Sequence, residues 1–357
     1  MPPSFDSGLT LADRMRAHAA DDDHLYGHLM RAMADDWEAG GPVRRICHGW
    51  EDAPPGSVIQ LRLLAGLFRI VLTDRAPELV RFYPCLGGDA DPAQAWPAVR
   101  EVMAAHVGEL HEALEIAPQT NEVGRSAALL VGLFEAVRRS GLSRVRLLEP
   151  GASGGLNLLV DRFRFVNADW SFGPVESPLV LRDAVVGDVR PEDFVIAARR
   201  GCDLSPVDTA SPDGRLRLRS FVWPFQTARH ERLSAALVVA AAHPVVVDRH
   251  GAGEWLERQL DRRVEDDVLT VVWQSITRMY WPAAEVARVG AAIEAAAARM
   301  SLAHVAMEYP AEGPHVGADL TVDGYVMAEV ARQGGQVLLA KVGHHGFPVT
   351  LHDPSPG

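Results

Sequence analysis

Apolar residues recur at helical spacing through the first third of the chain, then gather into short strand-length runs through the rest. In "LADRMRAHAADDDHLYGHLMRAMADDWEAGG" the apolar positions follow a helix period and end at a glycine stop. "SVIQLRLLAGLFRIVL" is apolar with too little alternation for a half-buried strand, and is read as a buried helix. "AWPAVREVMAAHVGELHEALEIA" has a further helical period through Val102, His106, Val107, Leu110 and Leu114. The segment "RFYPCLGGDADP", which carries Tyr83, is a loop by its Gly, Pro and Asp content. Together these predict a helical domain over residues 1–118. Another helix opens the remainder in "TNEVGRSAALLVGLFEAVRRSG". Its stripe runs through Val123, Ala127, Leu130, Phe134 and Val137, and Gly141 is a natural stop.

Beyond residue 144 short apolar runs alternate with long connections: "VRLLE", "FVIAARRGCDL", "HPVVVD", "VLTVVWQ", "LAHVAME", "GYVMAEVA" and "QVLLAKV". Repeated strands with long crossovers imply an α/β domain over 119–357, a mostly parallel sheet with helices on both faces. The last two runs lie close together and predict an antiparallel pair at one edge. Gly155 and Asp203 are 48 positions apart, against roughly 20 in a compact dinucleotide unit. An insertion at about 162–192 accounts for the excess.

The first of these strands leads into "EPGASGG", Glu149 to Gly155, which has two readings. "GASGG" matches G-x-S-x-G, the elbow of a serine hydrolase with Ser153 as nucleophile. Chain order supplies Asp248 or Asp319 as the acid and His344 or His345 as the base. The elbow normally follows several strands, whereas here the first clear strand leads directly into it. The other reading is a cofactor loop, with an acid closing the strand and glycines where the backbone must approach a ligand. Acids and amides also close the following strands, at Asp203, Asp248 and Gln274. On this reading Ser153 is a pocket wall.

The progression resembles the S-adenosylmethionine-dependent methyltransferases of Rossmann-like type, from about residue 120 to 350. Glu149, Gly151 and Gly155 match their first motif, with Ser153 in place of the middle glycine and Ala152 beside it. "GCDLSP" is similar to their second motif. The resemblance implies S-adenosylmethionine as cofactor, with Asp203 and Leu204 at the ribose, Asp248 near the adenine and Gln274 on the pocket. It also implies a last strand that inserts beside its neighbour against the parallel direction. A methyl acceptor needs a pocket and, for some acceptors, a base. Tyr83, Asn121, Arg125 and Trp223 are the candidates for substrate contact, and His250, Tyr280 and Glu308 for proton transfer. A non-catalytic binder of an adenosine-containing ligand is the remaining alternative. The whole chain also resembles an uncharacterised bacterial family, domain of unknown function 2332. That likeness rests on "TNEVGRSAALL", "GASGGLNLLVDRFRF", "RSFVWP" and "VGHHGFPVT".

Charge and cysteine content narrow the partners. A net charge of −12 disfavours a nucleic-acid partner, because phosphate binding needs a basic surface. Cys47, Cys85 and Cys202 are widely spaced and form no C-x-x-C pair, so a reducing compartment is expected and no zinc cluster. His24 and His28 fall at i, i+4 but have no third ligand in the pattern. The N-terminal stretch has no signal-peptide core, and the most apolar run is too short to cross a bilayer. A cytoplasmic protein acting on a small molecule, without membrane association, is expected.

Overall fold

The computed structural model describes residues 9–119, 121–310, 317–325 and 337–352. The chain divides into two compact units, Met1–Thr120 with Pro212–Glu231, and Asn121–Ser211 with Arg232–Gly357. The helical unit is thus not confined to residues 1–118. A second stretch, carrying Trp223, belongs to it.

That unit is built from α1 (Leu11–Ala19), α2 (Leu25–Glu38), α3 (Pro42–Ile46), α4 (Ile59–Leu72), α5 (Trp96–Ala105) and α6 (Val107–Ala113), with a later helix added below. A capping box between Thr10 and Asp13 starts α1. The acidic run "ADDD" forms the break before α2, and His24 caps α2 by accepting from the Gly27 amide. Helix α4 is buried on most sides, through Leu63, Leu64, Leu67, Phe68, Ile70 and Val71, as its apolar content requires. Tyr83 is fully buried in this core and stacks on Phe68 with ring centroids 4.9 Å apart. Trp223 and Phe225 pack against the same core. Trp223 lies 5.6 Å from Tyr26, and Phe225 stacks on His24 at 4.1 Å.

The second unit opens with α7 (Ser126–Ser140) and β1 (Arg144–Pro150). There follow β2 (Arg164–Val166), β3 (Ser171–Phe172), β4 (Val180–Arg182), β5 (Val185–Val186) and β6 (Val195–Asp203). Helix α8 (Pro212–Ser220) belongs to the helical unit, and α9 (Thr227–Ala242) follows it. The chain then gives β7 (Val247–Arg249), α10 (Ala252–Leu260), β8 (Val268–Ser275), α11 (Ala283–Ala297) and β9 (Leu302–Glu308). It ends with β10 (Ala318–Tyr325), β11 (Val337–Val342) and β12 (Val349–Leu351).

Nine strands form one sheet in the order β5-β12-β11-β10-β9-β8-β1-β6-β7. The five from β7 to β9 are parallel. From β1 the chain steps to β6 and β7 on one side, then returns to β8 on the other. That reversal opens a crevice at the carboxyl ends of β1 and β8, where open α/β sheets bind ligands. Both faces are covered, so the central strands are continuous in apolar residues; every residue of β8 from Val268 to Gln274 is buried. Leu148, Val272 and Leu302 pack with α10 and α11 on one face, and α7 contacts β8, β9 and β10.

Four expectations change in detail. The insertion is a small sheet, β3-β2-β4, with β2 and β3 antiparallel. The strand expected over "GYVMAEVA" runs earlier, as β10, and residues 326–331 lie outside the described ones. Its antiparallel pairing with β11 is present but is not at the edge, because β12 and β5 extend the sheet. Among the described residues β10 and β11 add outward after β9, and the last strand, β12, lies between β11 and β5, antiparallel to the first and parallel to the second. Among the described residues no helix is long and apolar enough to cross a membrane.

Helix α7 lies so close to β9 that a Cβ on Gly132 would sit 2.3 Å from a methyl of Val305. Gly290 in α11 has nothing within 4 Å of the same atom. Gly132→Val is therefore expected to destabilise the protein by about 1–3 kcal/mol in urea unfolding. Gly290→Ala should be neutral, or stabilising by up to about 1 kcal/mol. Equal effects at the two positions would contradict this packing.

Candidate functional site

The turn after β1 is held from three sides. Gly151 and Ala152 donate their amides to the Cys202 carbonyl on β6, at 2.8 and 2.9 Å. Asp203, at the end of β6, accepts from the Ser153 amide at 3.0 Å and from the Ser205 amide at 2.8 Å. Asn121 accepts from the Gly154 and Leu156 amides at 3.0 and 3.2 Å. Gly151, Ser153 and Gly155 all have positive φ, at 77°, 54° and 74°. Glycine adopts this region freely; Ser153 does so at a cost, and the three clamps hold it there. Asn121 thus acts on the loop itself through its Oδ1.

Glu149 lies beneath this loop and is 2% exposed. Its Oε2 has no hydrogen-bond partner, and the same is true of Asn157 Oδ1, Trp273 Nε1 and Thr277 Oγ1, all buried. Burial raises the Glu149 carboxyl to about 8. Asn157, Trp273 and the Arg125 charge favour the ionised form but do not offset the lost hydration, and Asp203 adds to the rise. Thr277 reaches over the loop from the other side; a Cβ on Gly151 would be 2.8 Å from its Oγ1. Arg125 donates to the Ser275 carbonyl at 3.1 Å, fixing its guanidinium between α7 and the end of β8. This buried cluster therefore combines two acceptors, Glu149 and Asn157, an indole donor and a hydroxyl, with a guanidinium nearby. Leu204 stands exposed beside Asp203.

Other expected site residues have different surroundings. Asp248 accepts two bonds from Arg200, at 2.6 and 2.7 Å, and one from the Trp255 indole at 2.7 Å. Its carboxyl is held down at about 2 by Arg200, and it serves the sheet rather than an adenine. Gln274 donates to Glu308 at 3.0 Å and meets His304 at 3.1 Å, so both ends of its amide are engaged away from the glycine loop. His250 pairs with Arg258 through its ring. Tyr280 is exposed on the connection after β8. Tyr83 is fully buried in the core of the helical unit, which corrects its expected part in substrate contact, and Trp223 is partly buried against the same core.

The hydrolase constellation lacks its acid. Asp248 is bound as above, and Asp319 pairs with Lys341; neither holds a histidine. His344 instead meets Tyr309 OH at 2.9 Å through its Nδ1. Among the described residues no group of three His, Cys, Asp or Glu could hold a metal ion. His28 pairs with Asp23 and His24 serves as a helix cap.

Sequence reasoning missed Asn157 and Thr277. Asn157 is a polar residue inside the apolar run "GGLNLLV", a signal that was available. Thr277 in "QSITR" carries none. Another juxtaposition is tertiary: "NEVGR" and "GHHGF" meet so closely that a Cβ on Gly346 would be 2.2 Å from the Gly124 carbonyl carbon. Arg232 covers the Phe347 ring at 4.9 Å in the same cluster.

A buried carboxyl that is neutral when folded and ionised when unfolded contributes stability below its unfolded range near 4.5, and that contribution is lost as pH rises towards 8. Glu149→Gln removes this dependence while keeping the shape. The variant should be more heat-stable than the parent at pH 8, on the order of a few kcal/mol, and nearly equal to it at pH 5. Thermal unfolding at the two pH values checks this; an offset independent of pH would refute the burial argument.

Comparison with known proteins adds one identification. No curated protein and no solved structure matches the chain. A family model described as "Uncharacterized protein conserved in bacteria (DUF2332)" matches residues 10–350. That span takes in both units and every segment of the glycine-loop site, and the chain belongs to this bacterial family.

Proposed function

We propose that the protein binds S-adenosylmethionine at the glycine loop and transfers its methyl group to a small-molecule acceptor. The observation that carries this reading is the buried Glu149 carboxyl at the end of β1, whose Oε2 has no hydrogen bond, with Asn157, Trp273 and Thr277 around it. Two acceptors with two donors, and Arg125 nearby, complement a zwitterionic amino-acid head: acceptors for its ammonium, donors for its carboxylate. Asp203 ends the neighbouring strand, with Leu204 exposed beside it, and suits a ribose diol with a flat apolar base above. The placement at the carboxyl ends of β1 and β6, on one side of the sheet reversal, agrees with this class of ligand.

The cofactor supplies an electrophilic methyl group on a sulfonium. The chain's part is to bind and orient. Glu149 would be drawn into its ionised form by the ligand's ammonium, releasing a proton on binding. Asn121 and Asp203 keep the loop amides in place, and Thr277 with the β8 connection keeps water out. Positioning of this kind can supply much of the rate in an in-line displacement.

Calorimetric titration with S-adenosylhomocysteine is the test. One-site binding is expected, tightening as pH is raised from 6 to 8 because Glu149 must ionise. Glu149→Gln should flatten that dependence, and Asp203→Asn should weaken binding about tenfold or more. Absence of binding at millimolar ligand would end this reading and direct attention to fluorophosphonate labelling of Ser153. The left-handed backbone of that serine is the one observation favouring a hydrolase. Saturable binding without transfer to any acceptor offered would identify a binder that lacks the chemistry.

A further inference from the structure

Glu308 entered as a candidate base, yet its surroundings describe a different task. It ends β9 and is 5% exposed. Its Oε1 accepts three hydrogen bonds: from Gln274 Nε2 at 3.0 Å, the Thr277 amide at 3.1 Å and the Arg278 amide at 3.2 Å. Two of these donors are consecutive backbone amides of the connection after β8. Gln274 is itself oriented, because with its amide nitrogen on Glu308 its oxygen must accept from His304 Nε2, 3.1 Å away. Burial holds His304 down at about 4, so the ring is neutral, and the bond to Gln274 selects the tautomer protonated on Nε2. His304, Gln274 and Glu308 thus form a directional chain that ends on the loop.

That loop is under strain. Ile276 has φ 48°, a left-handed backbone that a β-branched residue rarely adopts. Its amide bonds to the Met307 carbonyl at 2.8 Å, so the chain turns sharply between that bond and Glu308. The turn aims the Thr277 hydroxyl, buried and unpartnered, over Gly151. Ser275, just before it, receives Arg125. The Thr277 hydroxyl and, through the Ser275 carbonyl, the Arg125 guanidinium therefore depend on where residues 275–278 lie.

We infer that Glu308 is a positioning residue for the ligand pocket: its carboxylate pins the strained 276–278 turn so that Thr277 closes the glycine loop over the bound ligand. It acts on the glycine loop through the Thr277 and Arg278 amides that it holds, and its own oxygen bonds are to those amides and Gln274. This inference rests on the cofactor reading above, because the ligand used to detect it is S-adenosylhomocysteine.

The experiment compares Glu308→Ala with Glu308→Gln on the full chain. Glutamine keeps an oxygen for the two loop amides; alanine does not. Glu308→Ala is expected to weaken S-adenosylhomocysteine binding about tenfold or more, with Glu308→Gln within about threefold of the parent. In hydrogen-exchange measurements the alanine variant should lose protection at Thr277 and Arg278 while the amides of β9 stay protected. Unchanged affinity in Glu308→Ala would overturn the inference, and so would equal losses in both variants, which would point to charge instead of position. Should β9 lose protection as well, the residue is simply structural and the inference also fails. If the parent protein binds no ligand, the cofactor reading is what fails. Retained protection of Thr277 and Arg278 in Glu308→Ala would then separately refute the pinning of the turn.

Discussion

A carboxyl group buried with one oxygen lacking a hydrogen bond is an expensive thing to build into a protein interior, and Glu149 is one. Desolvation of this group raises it to about 8, and the structure around it is arranged to tolerate the cost. It ends the central strand, where parallel neighbours on both sides exclude water. The glycine loop closes above it, and the loop holds its unusual backbone only because Asn121, Asp203 and the Cys202 carbonyl accept its amides. Removing water and leaving an oxygen unmatched is characteristic of a place meant to receive a charged group.

The same constraint explains why distant segments converge. Helix α7 brings Asn121 and Arg125 at its leading end, β6 brings Asp203, and the connection after β8 brings Thr277. Each reaches the carboxyl end of the sheet because parallel strands all end there, and the reversal between β1 and β8 leaves room between their connections. The chain positions that carry the family likeness reflect this. "TNEVGR" and "VGHHGF" are far apart in sequence, yet Gly124 and Gly346 are in near backbone contact. "RSFVWP" instead contributes Trp223 to the core of the helical unit.

Polar groups at strand ends are therefore of two kinds. Glu149 keeps one oxygen without a hydrogen bond, and Asp203 holds the glycine loop by accepting the Ser153 and Ser205 amides. Asp248, which ends a strand in the same way, is fully engaged by Arg200 and Trp255, and Gln274 and Glu308 are engaged with each other. All five look alike as letters at the end of an apolar run. The difference lies in which cations and amides the neighbouring strands present, and that is a property of the register.

The local order of the chain was legible in the amino-acid pattern. Helix period, strand-length apolar runs, glycine stops and the "EPGASGG" turn depend on neighbours within a few positions, and α4, α7, β1, β6, β8 and β9 lie where that pattern puts them. The strand-end acids at the glycine loop were legible for the same reason. What tertiary structure decided is everything that depends on pairing across the chain. It assigned residues 212–231 to the helical unit and carried the sheet past β11 to β12 and β5. It buried Tyr83 in the core and packed Trp223 against it, gave Asp248 a partner, and set Asn157 beside Glu149 and Thr277 over Gly151. Hydrophobic periodicity reports which face of an element is buried. It says nothing of what that face meets, and partners, burial and register settle whether a polar residue holds the fold or waits for a ligand.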